Sequence, residues 1–334
     1  MVRDQPVPMT QGVIRLASFV ALLAMLAFAL DAMIDTGLRR IGTSSFGVSN
    51  RIVDGAINAD ILITGSSRAL SHYDAPLIQE RTGRTTYNIG LNGSQTDMQV
   101  ARLATYLRHN KAPALLIHNL DAFSFQVTHG GVYDPAQYMP YLSEPAIYAA
   151  LALIDPDIWK SRVIPLYGYT AADLRFTWVL GALRLVGWSP AEDHVQGFKP
   201  RYTAWTEDFE RFQRLNPKGV TFEVEPAGVT EMKKLLALCR EHRIKVLLVY
   251  SPEYAPMQKM TSNRDEIFAG FDALKREFGV PLWDYSGSPI SASRDNFYNS
   301  QHLNAGGAAE FSRDLAARLV AEQGVATSQP EPAN

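Results

Sequence analysis

Ile61-Leu62-Ile63-Thr64-Gly65-Ser66-Ser67-Arg68 is the stretch on which the reading of this chain turns. The first four residues are apolar or β-branched and read as a short buried strand. Gly65-Ser66-Ser67 then forms a tight turn at the end of that strand. A serine hydroxyl is a weak nucleophile until a neighbouring imidazole takes its proton. A strand-to-helix turn lifts the hydroxyl above the sheet edge and puts backbone N–H groups beside it, where they can stabilise an oxyanion. Far along the chain, Asn299-Ser300-Gln301-His302-Leu303-Asn304 carries the imidazole such a serine needs.

Outward from that turn, apolar runs alternate with amphipathic stretches. Strands are expected over residues 60–64, 85–89, 114–118, 245–250 and 280–284. Helices are expected over 75–82, 96–109, 229–242, 264–278 and 305–321. The alternation predicts an α/β fold: a flavodoxin-like doubly wound sheet of about five parallel strands, with ligands at the carboxyl ends of the strands. This domain is expected over residues 50–322. Residues 123–224 break the alternation and hold Trp159, Trp178, Trp188 and Trp205. A connection of about a hundred residues is too long for a simple loop, so a mostly helical inserted cap is expected there. Its aromatic residues suit either stacking on sugar rings or filling a small core of its own. Residues 323–334 read as a disordered tail.

A net charge of −2 over 334 residues argues against a nucleic-acid partner. The single cysteine, Cys239, excludes an internal disulfide, and the seven histidines show no metal-ligand spacing. No metal or cofactor is expected. Near the N-terminus, residues 16–30 form an uncharged run between Arg15 and Asp31. Fifteen residues fall short of the ~20 that a membrane helix needs, but counting from Val13 to Ile34 a tilted span is feasible. Arg3 and Arg15 favour keeping the N-terminus in the cytoplasm. Residues 13–34 are therefore read as a transmembrane signal-anchor in the inner membrane, with the remainder periplasmic. Ala27-Phe28-Ala29 also suits a cleavage site.

On its motifs the chain resembles the SGNH, or GDSL-like, hydrolase superfamily over residues 58–125 and 229–320. The resemblance puts Ser67 at the nucleophile position, with its own N–H as the first oxyanion donor. Asn88-Ile89-Gly90-Leu91-Asn92-Gly93 matches the second block, with Gly93 as the second donor. Asn119 takes the place of the third donor, although Asp121 lies nearer the expected position. His302 matches the general base. The residue three before it is Asn299 where the family has aspartate, so either Asn299 or Asp295 would orient the imidazole. Arg68, His72 and Glu253 are candidates for substrate contact, and for Arg68 the alternative is a plain ion pair with Asp74. Membrane-anchored relatives resemble components of bacterial exopolysaccharide acylation systems. The resemblance thus implies a serine esterase or O-acyltransferase acting on an acylated polysaccharide beside a membrane-bound O-acyltransferase. The competing reading is a non-catalytic carbohydrate-binding or complex-assembly protein of the same fold. A small-ester or lipid hydrolase is a third.

Overall fold

The computed structural model describes residues 9–170, 177–191 and 193–327. A long helix, α1 (Met9–Leu38), leads through α2 (Ser44–Val53) into β1 (Ile61–Thr64). Next come α3 (Ser67–His72), α4 (Ala75–Thr82), β2 (Thr86–Asn88), α5 (Thr96–His109) and β3 (Leu115–Leu120). Short helices α6 (Pro145–Ile154), α7 (Lys160–Val163), α8 (Thr177–Leu185) and α9 (Asp208–Leu215) occupy the expected insertion. The chain closes with α10 (Pro226–Glu241), β4 (Lys245–Tyr250), α11 (Ala255–Gln258), α12 (Arg264–Phe278), β5 (Leu282–Asp284) and α13 (Ala305–Thr327).

All five strands are parallel, in the order β2-β1-β3-β4-β5. That is the flavodoxin-like doubly wound order. Side chains alternate between the faces, as the two-residue strand period requires. Leu62, Leu116, Leu120 and Leu248 pack with residues of α5, α10 and α12. Ile61, Ile63, Ile117 and Val249 pack with Ile78 of α4 and with Phe311 and Leu315 of α13. The order reverses at β1 and β3, so the loops leaving these two strands form the crevice where such sheets bind ligands.

Three features differ from the sequence reading. First, α1 runs well past Ile34. Ile34 and Leu38, with Ile41 just beyond, are buried against Phe46, Leu91, Tyr141 and Leu142, which ends the exposed apolar stretch. Second, among the described residues the insertion does not enclose a core of its own. Ala136, Tyr138, Tyr141, Ile147 and Tyr169 share one apolar cluster with the end of α1 and with Met98 of α5. Third, residues 323–327 continue α13 rather than joining the tail, whose remaining residues 328–334 lie outside the described residues.

Two buried strand residues are polar without a partner among the described residues. His118 on β3 lies opposite Thr64 in the ladder, and neither its ring nitrogens nor the Thr64 hydroxyl has a hydrogen-bond partner among the described residues. Burial pushes this imidazole down to about 4. Its folded-state value lies below the unfolded one, so the unfolded chain binds the extra proton. The associated stability is complete above the ordinary histidine pKa and is lost as pH falls toward 4, by about 3 kcal/mol in all. His118→Leu is expected to flatten the decline of the urea midpoint between neutral pH and pH ~4.5. An unchanged slope contradicts this assignment.

Candidate active site

From Ile61 to Tyr73 only Ser67 escapes full burial. Gly65 makes the turn possible. Its φ of +141° is costly for a side chain, and a Cβ there would lie 2.9 Å from Ala69 Cβ and 3.0 Å from Asn119 Cβ. Ser66 turns inward as the N-cap of α3, accepting from the Arg68 N–H at 3.2 Å. Ser67, the first residue of the helix, is left facing the crevice.

The residues around His302 form a tight loop closed by a bridge between Phe297 and Leu303 and by the Tyr298 N–H donating to the His302 carbonyl at 3.1 Å. Inside it, Asn299 Oδ1 accepts from the backbone N–H groups of Gln301 and His302 at 3.1 and 2.9 Å. The same oxygen lies 2.9 Å from His302 Nδ1. Two backbone donors fix which end of the amide is oxygen, so Nδ1 must carry the proton it offers to Asn299. Nε2 is then the free acceptor, and it lies 2.7 Å from Ser67 Oγ. One hydrogen-bond chain runs from Ser67 through His302 to Asn299.

Asp295 is exposed and lies away from this chain; its carbonyl accepts from Asn304 Nδ2, and it lines an open cleft with Trp205, Glu207 and Arg214. Asn299, not Asp295, therefore holds the imidazole. Tyr298 stacks on the His302 ring at 5.3 Å, and the Arg201 guanidinium sits 5.5 Å from the Tyr298 ring centre. Burial, with Arg68 and Arg201 adding positive potential, pushes His302 down to about 3. The imidazole is neutral at physiological pH and able to accept a proton.

Among the oxyanion candidates, the Ser67 N–H belongs to the first turn of a helix, where backbone donors lack a partner within the helix. Gly93 lies in the turn after β2, which docks on the nucleophile turn through the Leu91 N–H donating to the Gly65 carbonyl at 3.0 Å. Gly93 has φ +64°, and a Cβ there would lie 2.4 Å from the ring of Tyr133. Asn119 does not join them. Its side chain is buried, accepting from the Tyr73 hydroxyl at 2.8 Å and donating to Asp121 Oδ1 at 3.2 Å and to the Leu120 carbonyl. An amide nitrogen committed to these acceptors offers nothing to a substrate oxygen.

The three residues expected to touch substrate are buried supports instead. Arg68 pairs with Asp121 at 3.3 Å rather than with Asp74, donates to the carbonyls of Leu120, Ser251 and Pro252, and lies over the Tyr250 ring. His72 Nδ1 meets Ser251 Oγ at 2.9 Å, and its Nε2 accepts the Leu303 N–H at 3.0 Å. It ties the histidine loop to the end of β4. Burial, together with Arg68 and His302, holds the His72 imidazole well below its ordinary value. Glu253 accepts from the Tyr250 hydroxyl at 2.8 Å and faces Arg264 at 3.7 Å.

Sequence reasoning missed Tyr133, Tyr298 and Arg201. Tyr298 adjoins Asn299 and was within reach of the motif. Arg201 was not, because an extended segment of the insertion delivers it. That segment is held by the Lys199 N–H on the Leu70 carbonyl, the Ala305 N–H on the Arg201 carbonyl and the Thr206 N–H on the Tyr298 carbonyl. No sequence spacing announces that path.

No family model and no curated protein matches the chain. Solved structures of similar shape include a GDSL-like lipase from Bacteroides thetaiotaomicron VPI-5482, at 10% identity and TM-score 0.39, covering 84% of this chain and 100% of that one. A protein described as an acylhydrolase from Bacteroides fragilis NCTC 9343 has 11% identity and TM-score 0.36, covering 78% and 87%. One described as a platelet activating factor from Streptococcus pneumonia has 13% identity and TM-score 0.41, covering 91% and 99%. At these values the likeness carries no inference about chemistry, which rests on the side chains described above.

Proposed function

We propose that the protein is an SGNH-type serine esterase or O-acyltransferase that works through an acyl-Ser67 intermediate. The observation that carries this reading is the chain Ser67 Oγ, His302 Nε2, His302 Nδ1, Asn299 Oδ1 at the carboxyl edge of the sheet. In the first half-reaction Ser67 Oγ attacks the ester carbonyl carbon while its proton passes to His302 Nε2. The oxyanion is met by the N–H groups of Ser67 and Gly93. Collapse of the tetrahedral species breaks the bond to the alcohol oxygen, which leaves with the proton from His302. In the second half a hydroxyl, from water or a sugar, gives its proton to His302 and attacks the acyl carbon. Ser67 departs and recovers that proton. Water gives hydrolysis and a sugar gives transfer.

The substrate we propose is an acylated polysaccharide outside the cytoplasm, with α1 as the anchor in the inner membrane and a membrane-bound O-acyltransferase as partner. Supporting the anchor, α1 is long and apolar enough over Gln11–Leu38 to cross a bilayer. Full-length protein incubated with an O-acetylated polysaccharide and a deacetylated acceptor is expected to release acetate or to move acetyl groups to the acceptor, in either case only with Ser67 intact. Neither product, from protein that does cleave a small acetyl ester, rejects the polysaccharide.

Asn299 orients His302 without countering the imidazolium charge, whereas a carboxylate there would counter it. Asn299→Asp is expected to raise the His302 pKa by roughly 1–3 units. A base must be unprotonated to act, so the acid limb of kcat/KM, near pH ~3–4 in the parent, moves up by the same amount. Activity at neutral pH is retained or increased. An acid limb that stays in place contradicts the contact between residue 299 and the imidazole.

A further inference from the structure

The exposed apolar surface of α1 ends abruptly. Leu30 and Met33 are 38% and 43% exposed, whereas Ile34 is 1% exposed. Over that one turn the insertion grips the helix. The Leu166 N–H donates to Asp31 Oδ1 at 2.9 Å, and the Tyr169 hydroxyl bonds Asp35. Leu166 holds φ +66° there, a conformation that costs energy for a leucine and is maintained by its surroundings. The flanking residues face outward. Trp159, Val163, Ile164 and Tyr167 are all exposed large apolar or aromatic side chains, with Lys160 and Arg162 between them. Lys160 lies 6.0 Å from the Tyr167 ring centre and Arg162 4.5 Å from that of Tyr148. Outside α1, such exposed side chains concentrate between Leu153 and Trp188, within the insertion.

Length sets the depth of this surface. Residues 16–30 make a helix of about 22 Å at 1.5 Å per residue, short of a hydrocarbon core of about 30 Å. Counted from the exposed Val13, a helix of about 20 residues crosses that core near Met33, which is the level at which residues 164–169 are tied to it. A mixture of Trp, Tyr, β-branched residues, Lys and Arg at that level matches the boundary between acyl chains and headgroups.

We propose that residues 159–167 are a foot seated in the lipid interface of the bilayer that α1 crosses. The occupant of this apolar surface is lipid. The foot and α1 contact the membrane at two places, which fixes the height and tilt of the sheet edge carrying Ser67. The inference rests on reading α1 as a retained membrane span and does not depend on the esterase chemistry.

Cys239 is the chain's only cysteine and is buried, so Cys239→Ser gives a background for single labels. Full-length protein carrying Val163→Cys, Ile164→Cys, Leu26→Cys or Tyr202→Cys is labelled with an environment-sensitive fluorophore. Each is then reconstituted into vesicles of phosphatidylcholine and phosphatidylglycerol containing a lipid nitroxide near the glycerol end of the acyl chain. Labels at 163 and 164 are expected to shift to the blue and to be quenched at least twofold more than the label at 202, which sits on a highly exposed tyrosine position. Quenching at 26 with none at 163 or 164 overturns the foot while leaving the anchor, and assigns the surface to water or to a protein partner. No quenching at 26 overturns the span itself and the foot with it. The two failures are distinct from each other, and both are distinct from loss of ester hydrolysis.

Discussion

Replacing Ser67 by Ala is expected to lower kcat for a small acetyl ester by roughly 10⁴–10⁶-fold with little change in KM. In the proposed reaction the hydroxyl 2.7 Å from His302 Nε2 is the atom that forms the covalent bond, and no neighbour can replace it. Ser66 is one residue away but is fully buried and accepts from the Arg68 N–H. Ser66→Ala is expected to cost about 1 kcal/mol of stability as a lost helix cap and to leave most of the activity. Steady-state kinetics on both variants reads the difference. Activity that survives Ser67→Ala and disappears in Ser66→Ala reverses the assignment.

The second large effect is on stability. Beneath the nucleophile turn, Asp121 is buried against Arg68 and also accepts from Asn119 Nδ2. Burial, with the negative charge of Glu253 adding to it, raises the Asp121 carboxyl above the ordinary aspartate range, and Arg68 opposes that rise. Asp121→Ala strips the Arg68 guanidinium of its counter-charge in a site closed to water. Leaving one partner of a buried pair costs about 3–5 kcal/mol. Urea unfolding of Asp121→Ala is expected to show a loss of this size, and Arg68→Met with Asp121→Leu is expected to recover most of it, because an apolar pair carries no desolvation penalty. A loss no larger than that of a surface substitution, ~0.5 kcal/mol, contradicts a structural role for the pair.

The sheet was legible because its signals are local. Runs such as Lys245–Tyr250 are apolar, short and bounded by turn residues, and the structure places that strand over the same residues. The turn that presents Ser67 and the loop that holds His302 were legible for the same reason, since each is one turn whose residue types follow from its geometry. Asn299 over Asp295 was not, because only the loop closure between Phe297 and Leu303 decides which acceptor reaches Nδ1. Arg68, His72, Asn119 and Glu253 read as polar residues at a ligand edge. Three of them are buried by long-range partners, Asp121 for Arg68, Ser251 for His72 and Tyr73 for Asn119, while Glu253 bonds Tyr250 three residues away. A one-dimensional pattern does not carry such pairings. α2 was not among the expected helices; it forms around the burial of Phe46, Val48 and Ile52.

Covalent labelling tests the central claim most directly. Full-length protein treated with a fluorophosphonate is expected to gain one phosphonyl group, mapped by peptide mass spectrometry to Ser67. Ser67→Ala is expected to give no adduct, and His302→Ala a much slower one. An unlabelled parent protein, or a label on Ser66 or any other residue that persists in Ser67→Ala, contradicts the account.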